Sequence, residues 1–91
     1  MQLTFDPVKN DRNIQDRGLA FQLVSDVDWA KAYIDEDQRK DYGERRFRLL
    51  GCINGRLYAV VFTPSVDKIH VISLRKANSR EVKVYEKTLE S

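Results

Sequence analysis

RRFRLLGCINGRLYAVVFT, residues 45–63, decides the fold. At its centre stands Asn54-Gly55, a dipeptide that favours the positive backbone angles of a type I′ turn. The runs on either side are rich in β-branched, aromatic and aliphatic residues. The stretch reads as a hairpin, with one strand over 45–53 and a second over 56–63. Beyond it, "PSVD" (64–67) reads as a turn and "KIHVISLR" (68–75) as a third strand, giving a three-stranded C-terminal meander. Asn78 and Glu81 then stand at capping-box spacing, and Val82, Tyr85 and Leu89 form the apolar stripe of a final helix.

Toward the N-terminus, "LTF" (3–5) is a short strand. Asp6-Pro7 starts a helix, because Asp caps free N–H groups and proline fits the first turn. That helix runs past Lys9 and Asn13 to Gly18, which suits the left-handed position after a helix end. "LAFQLVSDV" (19–27) reads as a short second helix on Phe21, Val24 and Val27, and "WAKAYI" (29–34) as an edge strand. "DEDQRKDYGE" (35–44) reads as a charged loop. The expected order is β-α-α-β-β-β-β-α. That is an α+β fold with a mostly antiparallel sheet and helices packed on one face, a single domain over residues 1–91.

A chain of 91 residues, 42% of them hydrophobic, supports one core and is not a disordered composition. No apolar run approaches the roughly 18 residues of a membrane span, and the first residues do not read as a signal peptide. The expectation is a cytoplasmic protein that needs no membrane partner. A single cysteine, Cys52, excludes an internal disulfide framework and a zinc quartet. There is no phosphate-cradling glycine loop, dinucleotide fingerprint or nucleophile elbow, and His70 lies inside an apolar strand. No cofactor is expected.

Charge is distributed unevenly. Residues 1–37 hold four basic and eight acidic residues, a net of −4, while residues 38–91 hold twelve basic and six acidic, a net of +6. A basic half is the footprint of a polyanion binder. On an extended strand, Arg46 and Arg48 share a face with Leu50 and Cys52, while Arg56 opens the neighbouring strand. Arg75 ends the third strand, Lys76 follows it, and Arg80 opens the last helix. Paired through the Asn-Gly turn, these guanidinium groups converge along one rim of the sheet. Guanidinium suits phosphate, since it offers a planar fork of donors and stays charged. It also suits the charge that builds on phosphoryl oxygens when a 2′-hydroxyl attacks the adjacent phosphorus of RNA. Such a step needs a proton acceptor, for which Glu44, Glu81 or an unusual lysine are the candidates. The expected catalytic set is therefore Glu44, Arg46, Arg75, Arg80 and Glu81, with no metal. A plain solvated charged surface is the alternative.

The chain also resembles the BrnT toxins of type II toxin–antitoxin systems, small bacterial ribonucleases with a RelE-like fold. The resemblance rests on four pieces in order: "FDPVKNDRNIQDRGL" (5–19), "YGERRF" (42–47), "GRLYAVVFT" (55–63) and "IHVISLRKANSREVKVYE" (69–86). Lys9 and Asn13 match recurrent polar positions of the first piece, and Glu44 and Arg46 the G-E-x-R-F segment. Arg56 matches the hairpin arginine. Ser73, Arg75 and Ala77 match S-A-R-x-A, with Tyr85 and Glu86 at the closing pair. The resemblance implies a translation-inhibiting RNA endonuclease neutralised by a cognate, BrnA-like antitoxin, which binds operator DNA and carries the toxin to it. The expected RNA contacts are Lys9, Arg17, Arg48, Arg56, Lys76 and Tyr85, with Tyr85 orienting a base or phosphate. One departure stands out: the family's K-H-G reads Asp16-Arg17-Gly18 here, so a histidine able to move protons is absent. A weakened homologue acting mainly as antitoxin-binding partner and co-repressor is the second expectation.

Overall fold

The computed structural model describes residues 2–90. Five strands, β1 (Gln2–Phe5), β2 (Tyr33–Glu36), β3 (Phe47–Ile53), β4 (Arg56–Pro64) and β5 (Lys68–Lys76), form one sheet in the order β1-β5-β4-β3-β2. Only the β1–β5 pair is parallel. Two α-helices, α1 (Pro7–Arg17) and α2 (Ser79–Glu90), and two 3₁₀ segments, Phe21–Asp26 and Trp29–Lys31, complete the α+β fold. Among the described residues, no helix is long and apolar enough to cross a membrane.

Local chemistry explains most boundaries. Asp6 caps α1, its carboxylate accepting from the Val8 amide at 2.9 Å, and Gly18 ends the helix at φ 70°. The β3–β4 turn places Asn54 at φ 50° and Gly55 at φ 82°, the two positive angles a type I′ turn requires. At the start of α2, Asn78 and Glu81 exchange hydrogen bonds, each side chain accepting from the other's amide at 2.9 Å. This reciprocal capping box satisfies two of the helix's free donors.

The core lies on one face of the sheet. Leu49, Val60, Leu74 and Val71 are essentially fully buried there against Phe21 and Val24 of the first 3₁₀ segment. Gly51 belongs to the same face: a Cβ built on it would lie 2.9 Å from side-chain carbons of both Leu49 and Val27. Phe5 meets Phe21 edge-on at 5.8 Å, and Trp29 meets Phe62 at 5.7 Å.

Four expectations are corrected. The segment expected as a second helix is 3₁₀ over Phe21–Asp26. Trp29–Lys31 is also 3₁₀, and the edge strand begins only at Tyr33 and extends through Asp35 and Glu36. The alternation of Trp29 and Tyr33 is shared between two jobs: Trp29 packs on Phe62, while Tyr33 starts the ladder opposite Leu50. β3 begins at Phe47, so Arg45 and Arg46 lie outside the strand and do not follow its alternation. Nor do the helices share one face. The 3₁₀ segments cover the Leu49–Val60–Leu74 side, whereas Arg80, Glu81 and Val84 of α2 border a groove over the opposite side, where Leu50 and Ala59 point.

Candidate functional site

Two rows of cross-strand neighbours build the floor of that groove. In the first, Tyr33, Leu50, Ala59 and Arg75 stand side by side across β2, β3, β4 and β5. In the second, the row runs Asp35, Arg48, Val61, Ser73. Residues at such paired positions project to the same side of the sheet. Arg80, Glu81 and Val84 wall the groove from α2, and Arg39 reaches it from the loop after β2. The enclosed volume is about 330 Å³.

An irregularity in β5 brings Ser73 and Arg75 to this side. Val61 pairs with Ser73 but Phe62 pairs with Val71, so Ile72 is an extra residue with no partner on β4. Strict alternation would put Ile69, Val71, Ser73 and Arg75 on one face. The bulge reverses the parity after Val71, keeping Leu74 in the core while Ser73 and Arg75 turn to the groove.

The groove's cations are mostly paired. Arg75 donates to both Glu81 oxygens at 2.7 and 2.9 Å, and Arg48 to both Asp35 oxygens at 3.1 and 3.0 Å. Arg39 is clamped by Asp37, which accepts from its Nε at 2.9 Å and from a terminal nitrogen at 2.8 Å. Asp37 is buried and also accepts from the Tyr42 hydroxyl at 3.1 Å. Those hydrogen bonds, led by Arg39, hold its carboxyl far below the usual carboxylate range, and the guanidinium of Arg39 is raised in return. The bond from Arg75, followed by the Asn78 amide, likewise lowers the Glu81 carboxyl against the opposing effect of burial. Arg80 is exposed and has no ion pair among the described residues.

Of the residues expected at the site, Arg48, Arg75, Arg80 and Glu81 come together in the groove. Glu44 and Arg46 do not line it. They face each other at 3.6 Å on the loop, with the Arg46 guanidinium 4.2 Å from the centre of the Tyr42 ring. Arg56 is exposed at the hairpin end, beside Cys52, Leu57 and Val82. Lys76 is exposed at the end of β5. Lys9 and Arg17 line a separate cleft along α1. Tyr85 is buried, and its hydroxyl donates to the Lys31 carbonyl at 2.9 Å, tying α2 to the second 3₁₀ segment. Burial pushes that hydroxyl's pKa up. Sequence reasoning missed Tyr33, Asp35 and Arg39 as groove residues. The first two were legible from the register that the Asn-Gly turn fixes, had the edge strand been placed over Tyr33–Glu36. Arg39 carried no signal, since its position depends on the burial of Asp37.

None of the curated proteins compared with this chain matches it. The defining pattern of one family does, that of "Ribonuclease toxin, BrnT, of type II toxin-antitoxin system", over residues 5–81. The matched segment starts at the last residue of β1 and ends at Glu81, so it takes in every strand from β2 to β5 and the start of α2. A protein of such a system works opposite an antitoxin. The chain belongs to the BrnT family of type II toxin–antitoxin ribonuclease toxins.

Proposed function

We propose that this chain is a single toxin domain over residues 1–91, RelE-like in its sheet and C-terminal meander. In this reading it acts in the cytoplasm as an RNA endonuclease that needs no metal. One observation carries the proposal: Arg48 of β3, Arg75 of β5, Arg80 of α2 and Arg39 of the loop after β2 meet in one groove beside the Glu81 carboxylate.

In the reaction so read, the 2′-hydroxyl of one nucleotide attacks the adjacent phosphorus. Its proton passes to Glu81, the P–O5′ bond breaks, and the leaving 5′ oxygen takes a proton from solvent. The products are a 2′,3′-cyclic phosphate and a 5′-hydroxyl. Arg80 and Arg75 hold the phosphoryl oxygens and stabilise the charge that accumulates on them, the type of electrostatic contribution that dominates many enzymes. Glu44 and Arg46 act outside the groove in this scheme, bracing the loop that carries Arg39. A BrnA-like antitoxin would cover the groove and bring the toxin to operator DNA.

The test is incubation of purified, antitoxin-free protein with a defined RNA in EDTA, followed by analysis of the ends. Cleavage leaving a 2′,3′-cyclic phosphate supports the proposal, and intact RNA from folded protein overturns it.

A second reading is favoured by the pairing of Arg39, Arg48 and Arg75 with Asp37, Asp35 and Glu81, together with Arg17 where the resemblance places a histidine. Here the chain is a binding partner and co-repressor without nuclease activity. Growth arrest on expression without antitoxin would contradict that reading.

A further inference from the structure

Ser73 borders two cavities. On one side is the arginine groove, and on the other a cleft of about 250 Å³ between α1 and β5. The cations of this second cleft are Lys9, Arg12 and Arg17. Lys9 and Arg12 stand three residues apart on α1, and Arg17 stands four beyond Asn13, the buried residue of the same lining. Ile72, the bulged residue of β5, closes the cleft beneath them.

The two cavities differ in how their charge is held. In the groove, three of four guanidinium groups are already paired with carboxylates. In the α1 cleft, none of the three cations makes an ion pair among the described residues. Arg17 donates only to the neutral side-chain oxygen of Asn13, at 2.7 Å. Asn13 is itself buried and fixed by its bond to the Leu19 carbonyl at 2.8 Å, so it orients Arg17 without neutralising it. Asp16 is the carboxylate in the lining, which leaves three positive charges against one negative. An incoming phosphate meets free cations there and displaces no carboxylate.

We propose that the α1 cleft is a second backbone-phosphate site for single-stranded RNA, joined to the groove across Ser73. The strand would lie with one phosphate in the groove and a neighbouring one against Lys9 and Arg12. Grooves that track a single strand in this way span several nucleotides. The inference rests on the reading that the groove binds RNA, and the test separates the two.

The probe is a fluorescent 2′-O-methyl RNA 12-mer, which binds but lacks the hydroxyl needed for cleavage. Its affinity is measured against salt for the parent, Lys9→Gln/Arg12→Gln and Arg80→Gln proteins. Lys9, Arg12 and Arg80 are all exposed, and thermal melts verify that each variant folds. Each phosphate no longer neutralised on a single strand lowers the slope of log K against log salt by about 0.7, so the double variant, which frees the one phosphate held by Lys9 and Arg12, and Arg80→Gln should each lose about 0.7. A shallower slope for Arg80→Gln with no change for the double variant overturns the second site and leaves the groove reading standing. No change in either variant overturns both. An unchanged RNA slope with weakened antitoxin binding in the double variant assigns the cleft to the protein partner and also overturns the inference.

Discussion

Arg75, the penultimate residue of β5, and Glu81, in the first turn of α2, form a two-pronged ion pair at 2.7 and 2.9 Å across the end of the groove. Glu81 also accepts from the Asn78 amide, so one carboxylate joins strand, helix cap and groove. Its lowered pKa sets the sign of a pH effect. A carboxyl depressed by folding contributes stability above its unfolded value near about 4.3, and that stability is lost as pH falls through the lower folded value. The gap in melting temperature between the parent and Glu81→Gln should therefore be open at neutral pH and close in acid. Glu81→Ala, which also removes the capping bond, should cost about 1–2 kcal/mol by chemical denaturation. Glu81→Gln should cost less than about 1 kcal/mol, because glutamine can still cap. Equal losses for the two variants would contradict the dual role.

Asp37 offers a second acid-sensitive point with the same sign. Its carboxyl is held well below the ordinary range by Arg39 and Tyr42, so its contribution is present above about pH 4 and fades below that. Asp37→Asn should lower the melting temperature at neutral pH and leave it nearly unchanged at strongly acid pH. It should also loosen Arg39, which proteolysis within residues 37–46 would report.

Tyr85 is a structural residue in this fold, and Tyr85→Phe separates that role from RNA contact. The variant leaves the Lys31 carbonyl without its 2.9 Å partner, which should cost on the order of 1 kcal/mol. RNA affinity should stay at the parent value. A drop in RNA affinity at unchanged stability would contradict the placement.

Gly51 tests the packing of the core against the 3₁₀ segment. Added at Gly51, a methyl group meets Leu49 and Val27 at 2.9 Å, so Gly51→Ala should destabilise by about 1–3 kcal/mol through overpacking. Pairing it with Val27→Ala should recover part of that loss.

The hairpin and both α-helix starts were legible because each depends on a few neighbouring residues. Asn54-Gly55 specifies its own turn, Asp6-Pro7 its own cap, and Asn78 with Glu81 a local exchange of hydrogen bonds. The convergence of Arg48, Arg75 and Arg80 was legible only in outline, since it depends on register. Ile69, Val71 and Leu74 are all buried, which no period of two allows, and this break in alternation was the available trace of the bulge at Ile72. Arg46 shares the face of Arg48 only if β3 reaches back to it, and the strand begins one residue after Arg46. The short 3₁₀ segments were not legible as such. Their geometry comes from Phe21, Val24 and Trp29 docking on the sheet rather than from local propensity.

The most direct test compares the rate at which the parent and Arg80→Ala proteins cleave one defined RNA. Arg80 is exposed and sits outside the Arg75–Glu81 pair, so the variant should keep the parent melting temperature. Loss of one groove cation that stabilises developing charge should lower kcat by about 10²-fold. Cleavage by Arg80→Ala at the parent rate would contradict the placement of the chemistry in this groove.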